Sequence, residues 1–289
     1  MDVWIIFSPI LKALFYAASF GSVGSFLFSL HLGRELNADQ QAYCDYLTHR
    51  GTLIGAVISL LMILSVAGNL GGDLASIIDF LLLKLAIESK SGVGYLTAFA
   101  GFALMLIAQS QRENARRFVL MIGSIAILIS FTMSGHSQLD GILTQSLLIL
   151  HLFGITFWLG ALLPFRWICL QSDTRNIERV AHRFGIIAIG YVGLLLSSGL
   201  GYAYLLLEEV SLLFTTQYGN VLLIKIVLVG GLLSLAALNK FKLVPSIETN
   251  PLQTVRRFQR SVQFEIALAI VILIASSLLT TSMTLPKGM

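Results

Sequence analysis

Apolar residues in this chain run in long blocks separated by short polar stretches. Eight blocks approach or exceed the ~20 residues that a helix needs to cross a ~30 Å hydrocarbon core. They cover Val3–Leu30, Gly51–Leu70, Gly92–Gln109, Arg117–Ser134, Leu143–Leu170, Val180–Leu206, Asn220–Phe241 and Val262–Ser282. In lipid no water can bond to backbone N–H and C=O groups, so blocks of this length read as helices. The pattern predicts an all-α fold, a polytopic bundle of about eight transmembrane helices, with residues 1–289 forming one integral-membrane domain. Residues 71–91 break the pattern. Their apolar centre carries Asp79 and Lys84, is too short to span, and fits an interfacial helix packed on the bundle. The opening block lacks a basic start and a small-residue cleavage site, so it reads as a retained helix and not as a signal peptide.

The polar stretches alternate in sign. Arg and Lys gather after the first, third, fifth and seventh spans, at Arg34 and Arg50, Arg112–Arg117, Arg166–Arg183 and Lys240–Arg260. The links after the fourth and sixth spans hold neither, only Asp140, Glu208 and Glu209. Basic loops stay in the cytoplasm, so both termini are expected to be periplasmic. With Asp73, those three acids make an outer face that concentrates cations, or they simply collect where basic residues are excluded.

Composition agrees with the pattern. The 289 residues are 56% hydrophobic and only 12% charged, about half the usual share in a soluble domain. The net charge of +4 sits at helix ends, where orientation in the bilayer accounts for it, so lipid and not nucleic acid is the implied surroundings. Cys44 and Cys169 fall on the cytoplasmic side, where no structural disulfide is expected. No Cys-x-x-Cys-His run exists to attach haem covalently. No phosphate-binding Gly loop, nucleophile triad or zincin helix stands in the chain, and no enzyme is expected.

Histidines carry the chemistry that remains. His136 lies in Ser134-Gly135-His136-Ser137, and His151 opens the run His151–Pro164. A His at membrane depth is costly without work or a partner, and imidazole is both metal ligand and proton carrier. On a helix His151 shares one face with Gly154, Ile155 and Trp158. It has two readings, a functional group or a core His bonded to a backbone carbonyl. Met133 precedes His136 by three residues, and imidazole with thioether suits copper. Met283, at the same end of the last span, could join them. His136 is interfacial while His151 lies about 12 Å deeper. Either the Gly135 turn dips inward so that both meet one ion, or the two are stations on one path. Lys225 and Glu265 read as structural, Glu265 as a charge at the start of span eight. His31, His49 and His182 read as solvated.

These residues resemble a known family. Tyr218-Gly-Asn-Val-Leu-Leu-Ile-Lys, Ala237-Leu-Asn-Lys-Phe-Lys-Leu-Val-Pro, Arg260-Ser-Val-Gln-Phe-Glu-Ile-Ala-Leu and the closing Thr284-Leu-Pro follow the order of the copper resistance protein D family (CopD/PcoD). The Ser-Gly-His-Ser and His151–Pro164 pieces match its middle helices, and the likeness extends over residues 130–286. The resemblance implies a bacterial inner-membrane protein that handles the copper ion, often beside a periplasmic CopC-type copper-binding protein, with copper at His136 and His151.

The resulting expectation is a copper permease. Met133 and His136 receive the ion from the periplasm and His151 relays it inward. The alternatives are a b-type cytochrome, whose haem two histidines would clamp, and a docking platform for a periplasmic copper carrier without transport.

Overall fold

The computed structural model of the chain describes residues 3–133, 141–171, 173–207 and 211–281. Its helices are α1 (Trp4–Leu32), α2 (Ala38–Gly71), α3 (Phe80–Glu88), α4 (Lys90–Ile107), α5 (Glu113–Ser130), α6 (Gly141–Ile168), α7 (Thr174–Leu207), α8 (Leu212–Thr215), α9 (Gln217–Leu238) and α10 (Pro251–Thr281). Among the described residues, eight helices are long and apolar enough to cross a membrane. They form an all-α bundle in which neighbours in sequence run antiparallel. The links α1–α2, α4–α5, α6–α7 and α9–α10 lie at one end, called the basic end below.

Helix α1 is the axis and packs against α2, α6 and α10. Helices α4 and α5 continue the layer beyond α2, and α7 and α9 flank α6 and α10. Small residues permit the closest crossings, as packing in lipid requires. A Cβ on Gly24 of α1 would sit 2.5 Å from the Gly160 Cα of α6, and one on Gly101 of α4 would sit 2.7 Å from the Gly123 oxygen of α5. The core is aromatic where these helices meet. Phe15 lies 5.0 Å from Phe131 and edge-on to Phe102, and Phe165 lies 4.6 Å from Phe184.

Three helices run well past the spans read from hydropathy. α2 begins at Ala38 instead of near Gly51, and α10 at Pro251 instead of Val262. α7 likewise begins at Thr174, ahead of Val180. These extensions are polar on one side, which hides them from hydropathy, yet they bury Gln40 and Cys44 of α2 and Phe258 of α10. The α2 extension is capped at both levels. Asn37 accepts from the Gln40 N–H at 2.9 Å, and the Gln40 side chain accepts from the Asn37 N–H at 3.0 Å, a reciprocal capping box. The same Gln40 amide donates to Gln171 and Asn176, tying α2 to the α6–α7 link. His49 stands on this extension, and His31 on the last turn of α1.

Residues 71–91 fold back as a turn and the short helix α3. Asp79 caps α3 by accepting from the Leu81 and Leu82 N–H groups. Ala86 packs inward, while Phe80 and Leu81 are exposed. Gly72, at φ 80°, ends α2 in the left-handed region and donates its N–H to the Gly68 oxygen. Below it, Asp73 accepts from the N–H and hydroxyl of Ser76. Those bonds hold its carboxyl below the usual range.

Candidate functional site

His151 lies about 15 Å along α6 from Gly141, at 1.5 Å per residue. Its Nδ1 is 3.0 Å from the Leu195 carbonyl of α7. A carbonyl can only accept, so Nδ1 carries the proton and Nε2 keeps its lone pair. Metal-binding imidazoles are held by this arrangement, with one ring nitrogen donating and the other free to ligate. Two glycines create the contact. Gly154 lets α7 close in, since a Cβ there would stand 2.9 Å from the Tyr191 oxygen. Gly199 leaves room for the ring, since a Cβ there would stand 2.7 Å from the His151 Nδ1 and Cε1.

From His151 a line of rings leads toward the basic end. One turn of α7 from Leu195, Tyr191 stacks on Phe157 with ring centroids 4.0 Å apart. Its hydroxyl lies 3.2 Å from the His31 Nε2. The His31 Nδ1 is 2.8 Å from the Leu27 carbonyl and must donate to it, so Nε2 accepts from Tyr191. His31 then faces a cavity of about 810 Å³ at the basic end, shared with Arg34, Asp45, Glu113, Arg116 and Arg183. Arg116 pairs with Asp45 at 2.6 Å and Arg117 with Glu113 at 2.7 Å.

The other end of the bundle holds Met133 and a buried lysine. Met133 sits on the turn after α5, with its sulfur 3.7 Å from the Thr97 hydroxyl, and that turn packs against α6. Lys12 of α1 is 4% exposed. Its Nζ donates to the Tyr95 hydroxyl at 3.2 Å and lies 5.1 to 5.9 Å from the rings of Tyr95, Tyr16, Phe15 and Phe131. An aromatic cage of this kind stabilises an ammonium in a dry site. Nothing in the sequence reading singled out Lys12. The available signal was one cation within an otherwise apolar span.

The other candidates divide. His136 and Met283 lie outside the described residues, as do Asp140, Glu208 and Glu209. His182 is exposed on α7. His49 is half-buried on α2, and its Nδ1 has no partner among the described residues. Glu265 does not start its helix. It is about four turns inside α10 and 3% exposed. Cys169 is buried beyond the end of α6, and burial pushes its thiol from 9.0 up to about 12. It is a poor thiolate donor to any metal. Among the described residues no three His, Cys, Asp or Glu side chains cluster closely enough to hold one metal ion.

Comparison with known proteins supplies the frame for this geometry. The family model for copper resistance protein D-like N-terminal domains matches residues 1–145, just over half of the chain, and that for copper resistance protein D matches residues 178–279. The chain belongs to the copper resistance protein D family. It is 25% identical over 256 residues to Copper resistance protein D of Pseudomonas syringae pv. tomato, covering 82% of this chain and 80% of that protein. It is 27% identical over 194 residues to Inner membrane protein YebZ of Escherichia coli (strain K12), covering 61% of this chain and 63% of that one. No solved structure matches it. With its eight membrane-length helices, this CopD-family chain is a multi-pass inner-membrane protein of copper handling.

Proposed function

We propose that the protein carries copper across the inner membrane, inward from the periplasm, by handing the ion along side chains at different depths. The basic end faces the cytoplasm in this reading, following the Lys/Arg alternation, and both termini face the periplasm. Met133, His136 and Met283 take up the ion, with Asp73 adding negative charge at the entrance. A periplasmic CopC-type copper-binding protein is the natural donor. His151 is the relay, and the Tyr191–Phe157 stack and His31 lead on to the cavity at the basic end.

The observation that carries this reading is the position of His151 at membrane depth, with one ring nitrogen bonded to a backbone carbonyl, as a core His would be, and the other left to ligate. The Leu195 carbonyl accepts the bond from Nδ1, which leaves Nε2 as a preorganised donor of a kind that suits copper at membrane depth. A second His on a neighbouring helix, as a b-type haem would require, is not paired with it among the described residues. The nearest line of contacts leads instead to His31, whose Nε2 is engaged by Tyr191.

Copper uptake into proteoliposomes holding the purified protein tests the proposal. Time-dependent uptake that is abolished in His151→Ala is expected. Uptake no faster than in empty vesicles would contradict transport and leave a docking role. A visible Soret band lost in His151→Ala would favour the cytochrome instead.

A further inference from the structure

A second polar site lies among α6, α7, α9 and α10, and its donor atoms differ in kind from imidazole and thioether. It is built where α9 ends in a turn of π-helix over Asn239–Leu243, a distortion frequent at functional sites. The turn puts Asn239 against α10, where its Nδ2 donates to the Glu265 carboxylate. Ser261 precedes Glu265 by one helical turn and so shares its face. Asn239, Ser261 and Glu265 are 7%, 6% and 3% exposed. The Asn239 Oδ1 and the Ser261 Oγ are buried with no hydrogen-bond partner among the described residues. Beside them is a cavity of about 240 Å³ that Asn239 and Glu265 line.

The one cation that shares this cavity among the described residues does not pair with the carboxylate. α6 and α7 present apolar walls such as Trp158, Phe165 and Phe184. Lys240 is the one other charged side chain among the described lining residues. Its ammonium donates to the Gly185 carbonyl at 2.6 Å and makes no ion pair with Glu265 within 4.0 Å. An ionised carboxylate buried in this way is expensive without a counter-ion. Two orphaned oxygens, one on the residue bonded to the carboxylate and one a helical turn before it, are what a small cation beside Glu265 would satisfy. Oxygen-only donors suit hard cations, whereas copper prefers nitrogen and sulfur.

We propose that Asn239, Ser261 and Glu265 form a binding site for a hard monovalent cation, sodium or a proton, separate from the copper-handling residues. The inference does not depend on copper transport, and its test uses no copper. Sodium binding to the purified full chain is measured with ²²Na⁺, and the protonated carboxyl C=O stretch is followed by infrared difference spectroscopy from pH 5 to 9. In the sodium arm, saturable binding is expected, weakened at least tenfold in Glu265→Gln and in Ser261→Ala. In the proton arm, a C=O band is expected that disappears with rising pH, is absent from Glu265→Gln and titrates at a different pH in Ser261→Ala. Either arm supports the site and names its ion. Ser261→Ala removes an unsatisfied hydroxyl, so it keeps the test open should Glu265→Gln fail to fold. No sodium binding together with a carboxyl signal that is constant across the pH range would overturn the proposal. A response unchanged in Ser261→Ala would overturn the assignment of Ser261.

Discussion

His151 and Glu265 are both polar side chains held deep among apolar helices, and their surroundings prepare them for opposite partners. The His151 ring is fixed by one backbone carbonyl and stands in a notch made by Gly199, with one nitrogen lone pair left over. Glu265 is gathered with oxygens that lack partners, at a turn where the helix geometry itself is irregular. An imidazole nitrogen presented singly suits a copper ion that can be passed on, and clustered oxygens suit a hard cation, sodium or a proton. The difference teaches that depth alone does not assign a role. What the neighbours leave unsatisfied does.

The comparison breaks first at His151. Replacing it with Ala should cost more than tenfold in copper affinity, since changes even to outer-shell partners cost ~10–100-fold, while helicity and yield hold. His182→Ala, on an exposed part of α7, should bind copper like the parent in the same equilibrium dialysis. Equal binding by a folded His151→Ala would reduce His151 to a packing residue. The notch can be tested next. Gly199→Ala forces a methyl against the ring and should destabilise the protein by about 1–3 kcal/mol. Gly190→Ala on the same helix meets nothing within 4 Å and should be neutral or stabilising by about 0.5–1 kcal/mol. Chemical-denaturation midpoints of the two variants read the contrast. The smallest effect is expected at Cys169. A thiol raised to about 12 holds roughly a thousandfold less thiolate at neutral pH than an ordinary cysteine. Maleimide labelling of a Cys44→Ala background should therefore be slow at pH 7 and accelerate as pH climbs above 9. The same sign makes the stability that this group contributes fall across that range, because the folded state holds the proton more tightly.

The spans themselves were legible because hydrophobic length is a local property. The eight blocks and the eight long helices agree in order and approximate extent. Helix ends were not legible where an extension buries a polar face. Gln40 reads as a loop residue by hydropathy, yet it is buried by bonds to Gln171 and Asn176 from distant sequence. The depth of His151 could be read from its position in the block, but its partner could not. Leu195 is available because the residue one turn later is Gly199, which leaves the carbonyl unshielded, and only packing of α7 on α6 shows it. Glu265 reads as a helix-start charge because hydropathy hides the α10 extension that places it inside the helix and buries it. Lys12 gives no local signal because its cage is assembled from α1, α4 and the turn after α5. Tyr191 linking to His31 across 160 positions lies equally beyond any local pattern.

The central claim is that copper is held at His151 through Nε2. X-ray absorption at the copper edge of the loaded, purified protein reads the ligands directly. In a His136→Ala background, which removes the other proposed imidazole ligand, outer-shell scattering from an imidazole ring should appear and be lost when His151→Ala is added, with the remaining ligands unchanged. A copper spectrum without imidazole scattering, or with scattering that His151→Ala leaves intact, would contradict the account.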